Sequence, residues 1–200
     1  LMAIYLGSGP IADAFFVAFR IPNTFRRLFS EGTFNAAFIP SYSSELALGK
    51  KKSKEFANKI FNLLLISLLS IVLIVQIFMP SFVFIIAPGF TENSDKVNLT
   101  ISLTRIMFPF LFFVSLSSFF SAILNSHNKF AAAAAAPIVL NILLILVLFF
   151  QSHLNDNLVF YLSYAVTFSG IIQLIFLLFF IKKFYFPTIT LNFKIDNKVN

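Results

Sequence analysis

Cysteine and tryptophan are absent from this chain of 200 residues, and only 12% of its positions are charged. Without cysteine there is neither a disulfide framework nor a thiolate metal site. Without tryptophan, any anchoring at a membrane–water boundary falls to Tyr, Phe and Lys. The sequence also lacks a nucleophile–base pair, paired catalytic carboxylates, a Gly-rich phosphate loop and a zinc signature. Its two histidines, His127 and His153, have no ligand spacing. No catalytic residue, metal or cofactor is expected, and the chain does not read as an enzyme. What is abundant is apolar: 58% of residues are hydrophobic, 30 of them Phe, and the mean hydropathy is +0.90. Soluble domains average about 45–50% apolar and about 25% charged residues. The expected fold is therefore an all-α integral membrane protein, a polytopic helix bundle.

A spanning helix needs about 20 apolar residues. Segments 60–79, 99–124, 131–151 and 158–181 meet this requirement. A further segment, 10–48, is interrupted by Pro22, Gly32 and Pro40. At full helical rise it would reach roughly 58 Å, nearly twice a hydrocarbon core of about 30 Å, so it must kink, break or protrude. Lysine placement orients the bundle. Loops 50–59, 125–130 and 182–200 carry ten lysines, whereas the opposite loops, 87–98 and 152–157, carry only Lys96. The lysine-rich loops are expected to face the cytoplasm. That fringe accounts for most of the net charge of +7 without nucleic acid as a partner. The run of alanines 131–136 before Pro137 reads as a surface for close helix packing. The chain opens at Leu1 in apolar sequence and closes in the polar stretch 192–200. It is read as a piece of a longer transporter-like protein, with 1–186 as a transmembrane lobe and 187–200 as a cytoplasmic linker.

Five ionisable groups interrupt the first apolar segment: Asp13, Arg20, Arg26, Arg27 and Glu31. Each charge facing lipid at a bilayer centre costs about 2.5–3.5 kcal/mol, so these groups must line a wet space or bind something charged. At 100° per residue Asp13, Arg20, Arg27 and Glu31 fall within about 40° of one another. Arg26 lies about 120° away on a straight helix, and Pro22 is expected to kink the helix between them. Three arginines oppose two carboxylates, which leaves a cationic surplus suited to bidentate grip on phosphate oxygens. An internal salt-bridge set, with Arg27 and Glu31 at i, i+4 and Asp13 paired to an arginine elsewhere, is the competing structural reading. Arg105 faces either the same cavity or the outer surface.

The stretch Ile11-Ala-Asp-Ala-Phe-Phe-Val-Ala-Phe-Arg20, Ile21-Pro-Asn-Thr-Phe-Arg-Arg-Leu-Phe-Ser30, Glu31-Gly-Thr-Phe-Asn-Ala-Ala-Phe-Ile-Pro40 closely resembles the signature of the MurJ (MviN) family. Ala87-Pro-Gly-Phe90, Phe108-Pro109, Ala122-Ile-Leu-Asn125 and Ala136-Pro-Ile-Val-Leu-Asn141 extend the resemblance across essentially the whole chain. These are lipid II flippases of bacterial cell-wall synthesis, in the exporter superfamily that includes the multidrug (MATE-like) transporters. The resemblance implies 14 transmembrane helices in two lobes around a cationic cavity. This chain would supply the end of helix one through helix six. It also implies that cavity arginines engage the diphosphate of undecaprenyl-diphosphate-linked disaccharide-pentapeptide (lipid II), with Arg26, the first of the pair, tied to function. Straight-helix geometry selects Arg27 instead, so both are kept, and Arg20 is a further candidate on the same track. Asp13 matches an acidic position near the outer end of helix two, and Glu31 the acidic residue of the Glu-Gly break. Arginines of helix one and of the second lobe would lie outside these 200 residues, so the segment alone is not expected to transport. The implied partners are lipid II and membrane lipids in the bacterial inner membrane. Two other classes stay open. One is an exporter of another lipid-linked oligosaccharide or of drugs; the other is a non-transporting scaffold that recruits cell-wall synthesis proteins.

Overall fold

A computed structural model describes residues 5–7, 9–31, 33–90, 94–150 and 157–188, the side chains of 25, 26, 28–31 and 33 excepted. Among the described residues the regular structure is all helical. The helices are α1 (Pro10–Glu31), α2 (Thr33–Ala47), α3 (Lys50–Ile77), α4 (Met79–Ile86), α5 (Ser94–Met107), α6 (Phe110–Ser126), α7 (Phe130–Ala135), α8 (Ile138–Phe149) and α9 (Leu158–Ile181), with a 3₁₀ turn at Pro88–Phe90. Among the described residues four stretches are long and apolar enough to cross a membrane: Lys50–Ile77, Ser94–Ser126, Phe130–Phe149 and Leu158–Ile181. The chain is a multi-pass membrane protein.

Three boundaries differ from the sequence reading, each for a local reason. The lysines of 50–59 form the first turns of α3 and not a loop. Gly49, at φ 130, stops the preceding chain. No breaker follows it, and lysine is a good helix former. The predicted single span 99–124 is two helices. Pro109 caps α6 with φ −58 and ψ −22, and the bonds Leu111 N to Phe108 O and Phe112 N to Pro109 O carry the chain across without a loop. Pro137 divides the predicted span 131–151 in the same way, between α7 and α8; Gln151 lies outside the described residues. Pro22 and Pro40, by contrast, sit inside α1 and α2 without ending them, and Gly32 lies outside the described residues. The limits of α9 coincide with the predicted 158–181.

A break inside an apolar bundle strands backbone carbonyls that lipid cannot satisfy. Pro109 brings no N–H for Arg105 O, four residues before it. Gln76 on α3 supplies one, its Nε2 donating at 2.9 Å. Thr167 on α9 donates its hydroxyl to the next carbonyl, Ile106 O. The break is thus covered from two neighbouring helices. Elsewhere hydroxyls bond back to the carbonyl one turn earlier, as Thr100, Thr104, Ser118 and Ser163 do. This hides their polarity within the helix.

The α5–α6 column is the most buried of the four spans, with α9, α7–α8 and α3 progressively more exposed. The last three turn Leu73, Ile77, Phe149, Ile175 and other apolar side chains outward, as lipid-facing helices do. One apolar cluster joins α1, α5, α6, α8 and α9. A second joins α2, α3, the far half of α6 and the end of α9. In the second, Phe119 meets the rings of Phe38, Phe61, Phe120 and Tyr185 at centroid distances of 5.1–6.1 Å. Beyond α9 the chain is strapped to α3. Tyr185 Oη donates to Asn58 Oδ1 at 2.6 Å, and Asn62 Nδ2 donates to Thr188 O at 3.1 Å. Burial pushes the Tyr185 hydroxyl far above its ordinary pKa, so it stays a donor.

Helices in an apolar solvent associate through close packing, which favours small residues at contacts. Gly170 of α9 is such a contact: a Cβ there would lie 2.8 Å from Phe110 Cδ2 and 2.9 Å from Phe113 Cβ. Gly170→Val is expected to force α9 off α6 at a cost of about 1–3 kcal/mol, the usual penalty of overpacking. A thermal-unfolding midpoint as high as that of the parent protein would contradict this packing.

Candidate functional site

Helix α1 is two-faced because its apolar and polar residues alternate with helical period. Ala14, Phe15, Ala18 and Ile21 are buried against the bundle, the two alanines allowing close approach. On the opposite side Asp13, Arg20, Thr24 and Arg27 are exposed. Asp13, Arg20 and Arg27 of the predicted polar track are all exposed, on a helix that Pro22 does not end. Thr24 turns its hydroxyl back to Arg20 O at 2.8 Å, so the guanidinium groups are the outward chemistry of this face. Among the described residues, neither Arg20 nor Arg27 is in a salt bridge. The side chains of Arg26 and Glu31 lie outside the described residues, and with them the Arg27–Glu31 pair.

Among the described residues Asp13 pairs with a lysine: its carboxylate Oδ2 takes a hydrogen bond from Lys96 Nζ at 2.7 Å. Lys96 sits in the first turn of α5 rather than in a loop, and its ammonium also lies 3.9 Å from the centroid of Phe90. The two carriers face each other because α1 and α5 pack side by side. An exposed pair of this kind contributes at most about 1 kcal/mol. Its importance is positional: it ties one end of the polar face to α5. Arg105, in the last turn of α5, is exposed.

Two polar features escaped the sequence reading. The alanines before Pro137 pack only in part. Ala136 is buried, but Ala133 and Ala134 line a cavity of about 420 Å³ together with Ser117, Ser121, Asn125 and Gln173. Ser117 Oγ and Gln173 Nε2 are buried there without a protein partner. Ser117, Ser118, Ser121 and Asn125 fall within about 100° on α6, a stripe that the sequence displays. The second feature joins Tyr42 of α2 to His127, the residue that ends α6: Tyr42 Oη lies 3.2 Å from His127 Nε2. The imidazole stacks on Phe184 at 4.5 Å. These two positions are 85 residues apart, so no local pattern announces the pair. His153 lies outside the described residues.

An apolar helical lobe, packed about a buried column and with exposed arginines on its first helix, defines a multi-pass membrane protein. A family model described as "Lipid II flippase MurJ" matches residues 2–200, and the chain belongs to the MurJ family. It is 44% identical over 179 residues to a probable lipid II flippase MurJ of Rhizobium tropici, covering 87% of this chain and 34% of that protein. To a probable lipid II flippase MurJ of Rickettsia prowazekii it is 39% identical over 191 residues, covering 94% of this chain and 37% of that protein. A solved structure titled "Lipid II flippase MurJ, inward closed conformation" superposes with a TM-score of 0.77 at 26% identity, over 94% of this chain and 39% of that one. The chain thus spans little more than a third of the length of these relatives.

Burial first, and the nearby charge of Lys50 second, hold the His127 imidazole below its ordinary pKa of 6.5. The unfolded chain therefore takes up this proton at a higher pH than the folded one, and stability falls as pH drops through and below about 6.5. His127→Gln is expected to flatten that acid-side decline in the thermal midpoint. An unchanged pH profile in the variant would show that His127 is not its source.

Proposed function

We propose that this chain forms the amino-terminal lobe of a flippase that moves lipid II from the cytoplasmic to the outer leaflet for peptidoglycan synthesis. The observation that carries the reading is the exposed arginine face of α1, in a chain whose family is described by that activity. Guanidinium groups facing acyl chains would each cost about 2.5–3.5 kcal/mol. Facing a wet cavity between two lobes, they instead meet phosphate oxygens in bidentate geometry. Arg20, Arg26 and Arg27 are assigned to the diphosphate. Glu31 borders the lower end of the track, and Asp13, held by Lys96, its upper end. The polyprenyl tail stays in lipid while the headgroup enters the cavity, and rocking of the lobes exposes the site to either side. No step makes or breaks a covalent bond, in keeping with a transporter rather than an enzyme. Residues 1–186 act as the lobe and 187–200 as the linker that follows it, with cell-wall synthesis proteins as candidate neighbours in the bacterial inner membrane.

In the full-length protein reconstituted in vesicles, Arg20→Ala, Arg26→Ala and Arg27→Ala are each expected to lower lipid II translocation at least tenfold without preventing insertion. Full transport by all three variants would remove the arginine clamp and favour the scaffold reading. Equal transport of an unrelated polyprenyl diphosphate would favour a broader exporter.

Orientation is tested separately. The lysine excess places the start of α3 in the cytoplasm. Lys52 and Ser94 are both exposed, whereas Ser53 is buried and unsuited to a probe. A cysteine introduced by Lys52→Cys is expected to react with an impermeant thiol reagent only from the cytoplasmic side, and one introduced by Ser94→Cys only from outside. The reverse pattern would invert the proposed direction of transport.

A further inference from the structure

The lysine-rich end of the lobe contains a built concavity, which a solvated fringe of charges does not require. Lys50 and Lys54 of α3 and Lys183, just past α9, line a cavity of about 330 Å³ whose other walls include Tyr42, Ser53 and His127. Tyr42 and Ser53 are 1% and 2% exposed and are held in place: Tyr42 by His127, and Ser53 by its hydroxyl donating to Lys50 O at 3.1 Å. The cationic groups thus stand around a fixed polar wall.

Several placements here are unfavourable when taken alone. Lys50 and Lys54 are one turn apart, where like charges repel. Both lie at a helix amino terminus, the positive end of the macrodipole. That terminus has no acidic residue in its first turn, and Gly49 offers no side-chain cap. The first backbone N–H to find a carbonyl there is that of Ser53, bonded to Gly49 O at 3.2 Å; those of Lys50, Lys51 and Lys52 precede the intrahelical ladder. Among the described residues none of the three pocket lysines is in a salt bridge. An oxyanion in the cavity would offset these unfavourable terms with attractive ones.

We propose that this pocket binds a phosphate group. Ammonium groups act as point charges on a tetrahedral polyanion, with no need for the planar fork that a carboxylate favours. The group can arrive on a soluble anion or on a phospholipid. An adjoining apolar groove of about 430 Å³, lined by Phe179, Phe180 and Lys182, shares Lys183 and Phe184 with the pocket. It offers an acyl chain a place beside the headgroup, and basic pockets at the cytoplasmic boundary are a recurring site for anionic headgroups. Neither Arg20 nor Arg27 lines the site.

The test uses the full-length protein with Arg20, Arg26 and Arg27 all replaced by Gln, so that the other anion site is silent. In phosphatidylcholine nanodiscs, inorganic pyrophosphate is titrated calorimetrically. In parallel, phosphatidylglycerol retained from mixed vesicles is counted by mass spectrometry after detergent extraction. The triple variant Lys50→Gln, Lys54→Gln, Lys183→Gln is expected to raise the pyrophosphate Kd at least tenfold, to lose more than half of the retained phosphatidylglycerol, or both. The first effect alone identifies a soluble anion and the second alone a phospholipid. The control triple Lys51→Gln, Lys52→Gln, Lys59→Gln removes the same charge outside the pocket and is expected to change neither. If the pocket triple changes neither signal, or if the control changes them equally, the proposal is overturned.

Discussion

Lipid offers no hydrogen bonds, and the architecture of this lobe follows from that constraint at one point in particular, the break between α5 and α6. Phe108 and Pro109 interrupt the most buried column of the bundle, where an unsatisfied carbonyl is most costly. Gln76 and Thr167 reach across from α3 and α9 to cover Arg105 O and Ile106 O. Those two bonds require both helices to stand beside the break. One helical turn further along α6, Gly170 brings the α9 backbone against Phe110 and Phe113. Polar satisfaction and close packing therefore act at the same level of the bundle and place α3 and α9 on either side of it.

Charge is sorted by the same solvent. Among the described residues, the one salt bridge joins α1 to α5 through Asp13 and Lys96. Lysines otherwise gather at the end where α3 begins and α9 finishes. Among the described residues, Arg20 and Arg27 are exposed and in no salt bridge. Their exposure is what connects the fold to the proposed diphosphate chemistry, because a guanidinium in a membrane protein becomes favourable only when an anion or water meets it.

Much of this was legible in the chain. The hydrophobic runs marked the spans, and the 100° spacing put Asp13, Arg20 and Arg27 on one face, where the structure has them. The limits of α9 were readable because 24 predominantly apolar positions without a charge or a proline lie between polar flanks. The start of α3 was not, since hydropathy marks the edge of a membrane rather than the end of a helix, and lysine is compatible with both. The division of spans at Pro109 and Pro137 was missed for a related reason: a proline that removes one hydrogen bond either kinks a helix or splits it, according to what surrounds it. Pro22 and Pro40 leave their helices continuous, whereas Pro109 and Pro137 do not.

Composition and periodicity alone determined that this is a helical membrane protein with a cationic face, because burial in lipid and helical pitch act on each residue and its near neighbours. The partners were decided only in three dimensions. Lys96 for Asp13, His127 for Tyr42, Gln76 for Arg105 O and the ring of lysines around Ser53 all join positions far apart in the chain. Their distances depend on how the helices pack, and packing is set by the fit of many side chains at once rather than by any local stretch of sequence.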